Sequence, residues 1–254
     1  MDNIAKEKNF GEKLKLIWIA IIIFIFVGGL TAYFFGYRFT KNLSIAKSGY
    51  LTIKAPLSNT FVYIDNNEKI QTQKDNEEIK VMLSPEVHTI IVGRDRYFPW
   101  TKSLEVEPDK EIKINPLYVS ENASGQMITK NDPEYWKIRN QITSNKLPTE
   151  KTPIISPDNK YSLYVADNTV IAKVGTTTMN VIKPETPIKN VSFYKDRSDA
   201  VVFSTGNGVF VIEIDTNSYQ NFMPIYKGTK PFFIKNDANS IYILDGEALM
   251  QVVI

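Results

Sequence analysis

The chain is expected to be all-β with one N-terminal transmembrane helix, and three features of its 254 residues lead there. Leu16 to Gly36 runs without a single charge. The remainder is rich in strand formers, with 13 Tyr and 14 Phe spread among Thr, Ile and Val and punctuated by Asn, Asp, Pro and Gly, the composition of short strands and turns. Asp158, Asp196 and Asp237 each follow a short apolar run, at intervals of about 40 residues, the period of β repeats.

The apolar stretch accounts for the N-terminus. Some 21 residues rising 1.5 Å each make a helix roughly 30 Å long, which matches the hydrocarbon core of a bilayer. Trp18 lies near one end and Tyr33 and Tyr37 near the other, with Lys13, Lys15, Arg38 and Lys41 just outside, the arrangement of interfacial aromatic rings and flanking cations. The segment is longer than the ~7–15-residue core of a secretory signal, and bulky Tyr33-Phe34-Phe35-Gly36-Tyr37-Arg38 replaces a small-x-small cleavage site. We therefore read residues 16–37 as an uncleaved signal anchor. Residues 1–15, carrying Lys6, Lys8, Lys13 and Lys15, are expected to be a cytoplasmic tail, although Arg38, Lys41 and Lys47 nearly balance them. The bulk of the chain is then extracytoplasmic, anchored in the cytoplasmic membrane by a single pass.

Charge and cysteine content narrow the function. A net charge of +2 with interspersed signs gives no nucleic-acid footprint. The absence of cysteine removes disulfides, thiolate metal sites and cysteine nucleophiles.

Residues 38–48 read as a short polar tether. From Gly49 the pattern alternates: Leu51 and Ile53, then Phe61-Val62-Tyr63-Ile64 before the turn Asp65-Asn66-Asn67. Ile79, Val81 and Leu83, joined through Pro85-Glu86 to His88-Thr89-Ile90-Ile91-Val92, predict a hairpin with Val81, Leu83, Ile90 and Val92 on a buried face. Leu104-Glu105-Val106 and Ile112-Lys113-Ile114 predict a second hairpin across Glu107-Pro108-Asp109. Six short strands in about 70 residues suggest a small sandwich. Over 49–119 the order of residues resembles the PEGA domain, a β-sandwich module of bacterial and archaeal surface proteins. The matching residues are Gly49-Tyr50-Leu51-Thr52-Ile53, Val62-Tyr63-Ile64-Asp65, Leu83-Ser84-Pro85-Glu86-Val87-His88 and Arg96-Tyr97-Phe98-Pro99-Trp100. Turn glycines of that pattern are replaced here by Asn66, Glu86 and Arg96, of which Asn alone readily takes positive φ, so the turns at Glu86 and Arg96 are expected to be drawn differently. The resemblance implies a spacer or adhesion module with no catalytic residues.

Two candidate sites in this region favour structure over chemistry. His88 is the only histidine and starts an alternating strand, with no second His or Cys to complete a metal site. Asp65-Asn66-Asn67-Glu68 offers oxygen ligands but lacks the order and distal Glu of a calcium loop, and reads as a hairpin turn. No catalytic, cofactor-binding or metal-ligating residue is assigned, and no cofactor is implied.

Residues 120–153 are polar and read as a linker with one short helix, Asp132 capping it, Pro133 at its first position, and Tyr135, Trp136, Ile138 and Ile142 on one face. Tyr135 and Trp136 suit packing on a sheet better than a carbohydrate or partner contact.

Residues 154–254 hold about three repeats. The first contains Ile155-Ser156-Pro157-Asp158 and the turn Asp167-Asn168; the second Val191-Ser192-Phe193, Ala200–Phe203 and the turn Asn207-Gly208; the third Phe232–Asp237, Ser240–Leu244, the turn Asp245-Gly246 and Ala248–Val252. They resemble blades of WD-like and TolB-like β-propellers, although the first copy alone keeps Ser-Pro-Asp, and three blades are too few for a closed ring. The last strand ends apolar, which predicts an open edge available for homo-oligomer pairing or for a longer array. Together these readings predict a non-enzymatic envelope protein meeting another envelope protein, an S-layer or a cell-wall glycan. The alternative is a sensor or scaffold subunit assembled with a protein partner. A propeller-based hydrolase is disfavoured, since neither clustered carboxylates nor a His-containing nucleophile pair is present.

Overall fold

The computed structural model describes residues 2–40, 42–216 and 218–254, with the backbone alone for 2–14, 68 and 69. The tail cations Lys6 and Lys8 and the flanking cations Lys13 and Lys41 therefore lie outside the described side chains. The protein is mostly β with one N-terminal apolar helix, and it divides into two compact units, 1–54 with 78–88 and 105–114, and 55–77 with 89–104 and 115–254.

The first unit opens with helix α1, Asp2–Phe34. Its segment Lys15–Phe34 is long and apolar enough to cross a membrane, and none of it is buried. The expected tail is thus helical and continuous with the apolar stretch, which itself stops three residues earlier than expected. The Phe35 N–H still donates to the Thr31 carbonyl, and Gly36, at φ +84°, donates to Tyr33 and turns the chain out of the helix. Tyr37 then begins a hairpin of β1 (Tyr37–Phe39) and β2 (Ile45–Lys47), where a polar tether was expected. A three-stranded sheet follows, of β3 (Gly49–Ala55), β6 (Glu77–Leu83) and β9 (Glu111–Ile114) with β3 central and β9 parallel to it. Leu51, Ile53, Ile79 and Leu83 are buried and Val81 is half-buried. On the opposite side of β3 the Thr52 hydroxyl donates to Glu111, which also pairs with Lys80 at 3.3 Å.

The second unit begins with a four-stranded sheet in the order β5 (Glu68–Gln71), β4 (Phe61–Ile64), β7 (Val87–Gly93) and β8 (Trp100–Glu105). Ile90 and Val92 on β7 are buried. Both expected hairpins are overturned: β6 and β7 belong to different sheets, as do β8 and β9. Alternation fixes which face of a strand is apolar but leaves its hydrogen-bonding neighbour open, and a connection through Pro85 serves a crossing between sheets as well as a turn. The hairpin that does form joins β4 to β5 through Asp65, Asn66 and Asn67, Asp65 and Asn66 taking φ of +50° and +62°. Arg96 adopts φ +64° at a position where avoidance of that region was expected; its carbonyl is fixed by the Glu121 N–H at 2.9 Å.

Three four-stranded antiparallel sheets follow. They are β11 (Ile154–Ile155), β12 (Ser162–Ala166), β13 (Thr169–Val174) and β14 (Thr177–Ile182); then β15 (Asn190–Phe193), β16 (Ala200–Ser204), β17 (Gly208–Glu213) and β18 (Phe222–Lys227); then β19 (Phe232–Lys235), β20 (Ser240–Asp245) and β21 (Ala248–Val253). The last sheet takes its fourth strand from upstream, β10 (Gly125–Ile128), in the order β10-β21-β20-β19. Strand β21 is therefore paired on both flanks, Gly125 with Val252 and Ile241 with Val252. This overturns the open edge expected at the C-terminal strand and the homo-oligomer pairing built on it, and it makes part of the expected linker a strand. Gly125 is required by that pairing, since a Cβ there would come within 2.6 Å of the Gln251 carbonyl oxygen.

The turn at Asp167-Asn168 forms as expected, both residues at positive φ. The other two lie one residue off the expected dipeptides. Thr205 N–H donates to Gly208 O around Gly206-Asn207, and Asp245 pairs with Ala248 around Gly246-Glu247. Leu163, Val170, Val191, Phe193, Val201 and Phe203, from the first two of these sheets, share one apolar cluster. Helix α2 (Tyr135–Ser144) lays Tyr135, Ile138 and Ile142 on Leu244 and Leu249 of the third.

Candidate functional site

The residues singled out in the sequence are held apart and engaged in local structure. His88 is buried, its Nε2 donating to the Ser84 carbonyl at 2.8 Å. Asp65 ties its turn to β7, accepting the Thr89 N–H at 2.9 Å. Asp132 does not cap α2: its carboxylate turns back onto the Thr129 N–H and hydroxyl, and the helix begins after Glu134 with no side-chain cap. Tyr135 is buried, whereas Trp136, expected on the same face, is exposed and meets Tyr135 edge-on at 5.1 Å. At 100° per residue, positions 135, 138 and 142 share a stripe that 136 leaves.

The three repeat aspartates occupy equivalent loops, each between the first and second strand of its sheet. Asp158 accepts from the Ser156 hydroxyl and the Lys160 N–H, and the hydroxyls of Ser198 and Ser156 hold its carboxyl well below the usual carboxylate range. Asp237 does the same with the Asn239 N–H and the Ser240 hydroxyl. Asp196 instead accepts from Lys235 of the next sheet at 3.2 Å.

A buried ionic cluster that the sequence did not announce joins β8 to the second repeat sheet. Glu213 accepts from the Trp100 indole N–H at 2.6 Å, from Asn221 Nδ2 at 2.9 Å and from Lys102 at 3.3 Å. Lys102 also pairs with Asp215 at 2.9 Å, and the Asn221 amide clasps the backbone of Thr101 in both directions. With every charge partnered, the cluster is an internal clasp. It bridges the boundary expected near residue 119. Among the described residues no group of three or more His, Asp or Glu side chains is placed to hold a metal ion.

One groove open to a ligand, of about 380 Å³, is lined by Asp158 and Asp196; another, of about 390 Å³, lies where the first strands of the three repeat sheets approach the segment leaving α2. Leu147, Ile154, Val191 and Phe233 supply apolar walls, and Lys146 and Lys235 supply cations with no carboxylate among the lining residues. Lys235 is partly engaged, donating to the Lys195 carbonyl and to Asp196, while Lys146 is exposed. The strand starts were legible in the sequence; their convergence was not, because it depends on packing between repeats about 40 residues apart.

No known family model matches the chain, and comparison with curated proteins gives no match. A solved structure of a DUF3823 family protein from Bacteroides ovatus ATCC 8483 aligns with 10% identity and a TM-score of 0.22, over 82% of this chain and 97% of that one. A likeness this slight carries no argument.

Proposed function

We propose that the chain is a single-pass, membrane-anchored protein of the cell envelope with no catalytic activity of its own. In this reading residues 16–37 anchor it in the cytoplasmic membrane, residues 49–119 act as a PEGA-like spacer, and 154–254 form a propeller-like array that presents a binding surface outside. The observation that carries the reading is the apolar segment Lys15–Phe34 of helix α1, none of which is buried, leading directly into a β-rich body. Water-soluble proteins rarely leave so large an apolar surface bare, and a lipid environment satisfies it because the backbone groups within the helix are bonded to one another. The propeller-like part of the reading is supported by three sheets of one strand order with equivalent aspartate loops, the last completed by an upstream strand.

The groove favours the assembly reading, in which the partner is an envelope protein, over cell-wall glycan. Its aromatic wall residue, Phe233, is buried to 1% exposure, so it offers no flat ring for a sugar to stack on. Apolar walls with two lysines suit an acidic, partly apolar polypeptide segment instead. The test is capture by the detergent-solubilised full chain of solubilised envelope proteins against purified cell-wall glycans. Protein capture lost in Ile154→Glu and Lys146→Glu supports the reading. Glycan capture unaffected by both substitutions refutes it.

A further inference from the structure

The hairpin of β1 and β2 has an apolar face with no protein against it. Its register pairs Tyr37 with Lys47, Arg38 with Ala46 and Phe39 with Ile45, so Phe39 and Ile45 lie side by side on one face, Tyr37 beside them, with Leu43 at the tip. Phe39 is 70%, Leu43 85% and Ile45 61% exposed. A two-stranded ribbon is marginal in water unless its apolar face is covered, and this one exposes three large apolar side chains in seven residues.

Three observations identify what covers it. First, the apolar surface is continuous with that of the span: Phe34 and Phe35 at the end of α1 are themselves exposed, and the hairpin begins two residues later. Second, the hairpin is fixed to the helix end. Arg38 Nη1 donates to the Tyr33 carbonyl at 2.9 Å and to the Tyr37 carbonyl at 3.1 Å, its guanidinium lies 3.7 Å over the Tyr33 ring, and the Ser48 N–H donates to the Gly36 carbonyl at 2.8 Å. A cation on the Tyr33 carbonyl, in the last turn of α1, also complements the negative end of the helix dipole. Third, residues 36–48 carry Arg38, Lys41 and Lys47 and no Asp or Glu; Lys47 is paired with Asp109 at 2.7 Å, and the positive charge left by Arg38 and Lys41 suits the anionic headgroups of a phospholipid surface.

We infer that the β1–β2 hairpin is a membrane-interfacial element: Phe39, Leu43 and Ile45 enter the boundary between headgroups and acyl chains beside the span, and Tyr37 and Arg38 sit at headgroup level. The inference rests on the membrane-span reading above. It replaces a loose tether with a clamp, so that β3, which starts at Gly49, leaves the bilayer surface in a fixed direction.

The chain's lack of cysteine allows a direct test with single-cysteine variants of the full chain, each carrying a nitroxide, in phosphatidylcholine–phosphatidylglycerol vesicles. The probes are Leu43→Cys and Ile45→Cys, with exposed Lys54→Cys on β3 as the aqueous reference and Ile22→Cys reporting the span. All four side chains are solvent-exposed, so the substitutions leave the packed core untouched. The ratio of oxygen to nickel-chelate collisions is expected to be several-fold higher at 43 and 45 than at 54, and higher still at 22. Ratios at 43 and 45 equal to that at 54, with 22 still in the bilayer, overturn the hairpin inference and leave the span reading intact. Low collision with both reagents at 43 and 45 shows protein covering the face and also overturns it. An aqueous reading at 22 refutes the span, and the hairpin inference falls with it.

Discussion

Replacing Glu213 by Ala is expected to destabilise the protein by about 3 kcal/mol, because it breaks a buried ion pair from one side only. The Lys102 and Glu213 side chains are 8% and 7% exposed, so neither charge is screened by bulk water. Loss of the carboxylate leaves the Trp100 indole N–H and two Asn221 donors, its backbone N–H and its Nδ2, without their acceptor, each a desolvation cost of about 1–3 kcal/mol. Lys102 keeps Asp215, which is 44% exposed, and this holds the total near the lower end of the usual 3–5 kcal/mol range. With a urea slope of roughly 1–3 kcal/mol per molar, the midpoint should fall by about 1–3 M. The assay is urea unfolding of the full chain in detergent micelles, followed by tryptophan fluorescence, since Trp100 is itself part of the cluster. Glu213→Gln should lie between the two, because it keeps an acceptor for Trp100 but loses the charge facing Lys102. A loss below about 0.5 kcal/mol for Glu213→Ala would mean that the cluster is hydrated and the clasp absent.

Gly125→Ala should cost about 1–3 kcal/mol, from the overlap of the added methyl with the Gln251 carbonyl; protection of the β21 amides from hydrogen exchange should drop with it, and unchanged protection would show that β10 does not pair there. Leu83→Ala should cost about 2–5 kcal/mol in the same urea assay, since its side chain is buried, and a change under about 0.5 kcal/mol would place it on the solvent face. The Asp158 carboxyl is held below its unfolded value near pH 4 by hydroxyl hydrogen bonds. The unfolded chain therefore binds more protons there, and the stabilisation is complete above about pH 4 and lost as pH falls through the folded value. Asp158→Asn should flatten the acid limb of the stability curve, and an unchanged limb would show that the loop does not hold the carboxylate.

Sequence legibility followed signal strength along the chain. Helix α1 was legible because an uncharged run of its length has no other stable use, although its exit at Gly36 needed the backbone to locate. Strands β16, β20 and β21 carry dense apolar runs around polar turns and were read close to their bounds. Outer strands β14 and β18 went unread, since Thr177, Thr178 and Phe222 face solvent and leave half the usual pattern. Strand β10 was hidden for the same reason, with Gly125, Gln126 and Met127 exposed, and because its partner lies at the far end of the chain. The two misassigned hairpins show that apolar alternation reports a face and not a neighbour. As for the candidate site, Phe233 and Ile154 were legible as strand residues, but the groove between them arises from inter-sheet packing. The cluster around Glu213 was invisible because Lys102 and Glu213 stand 111 residues apart, and each taken alone reads as an ordinary solvated strand charge.

The central claim is that an unburied apolar helix anchors an extracytoplasmic β-rich body, and protease accessibility in intact spheroplasts tests it directly. After confirming that the chain stays with membranes through alkaline carbonate extraction, protease added outside should digest residues 38–254 without detergent and leave a short fragment containing the span. Release of the chain by carbonate, or protection of 38–254 until detergent is added, would contradict the account.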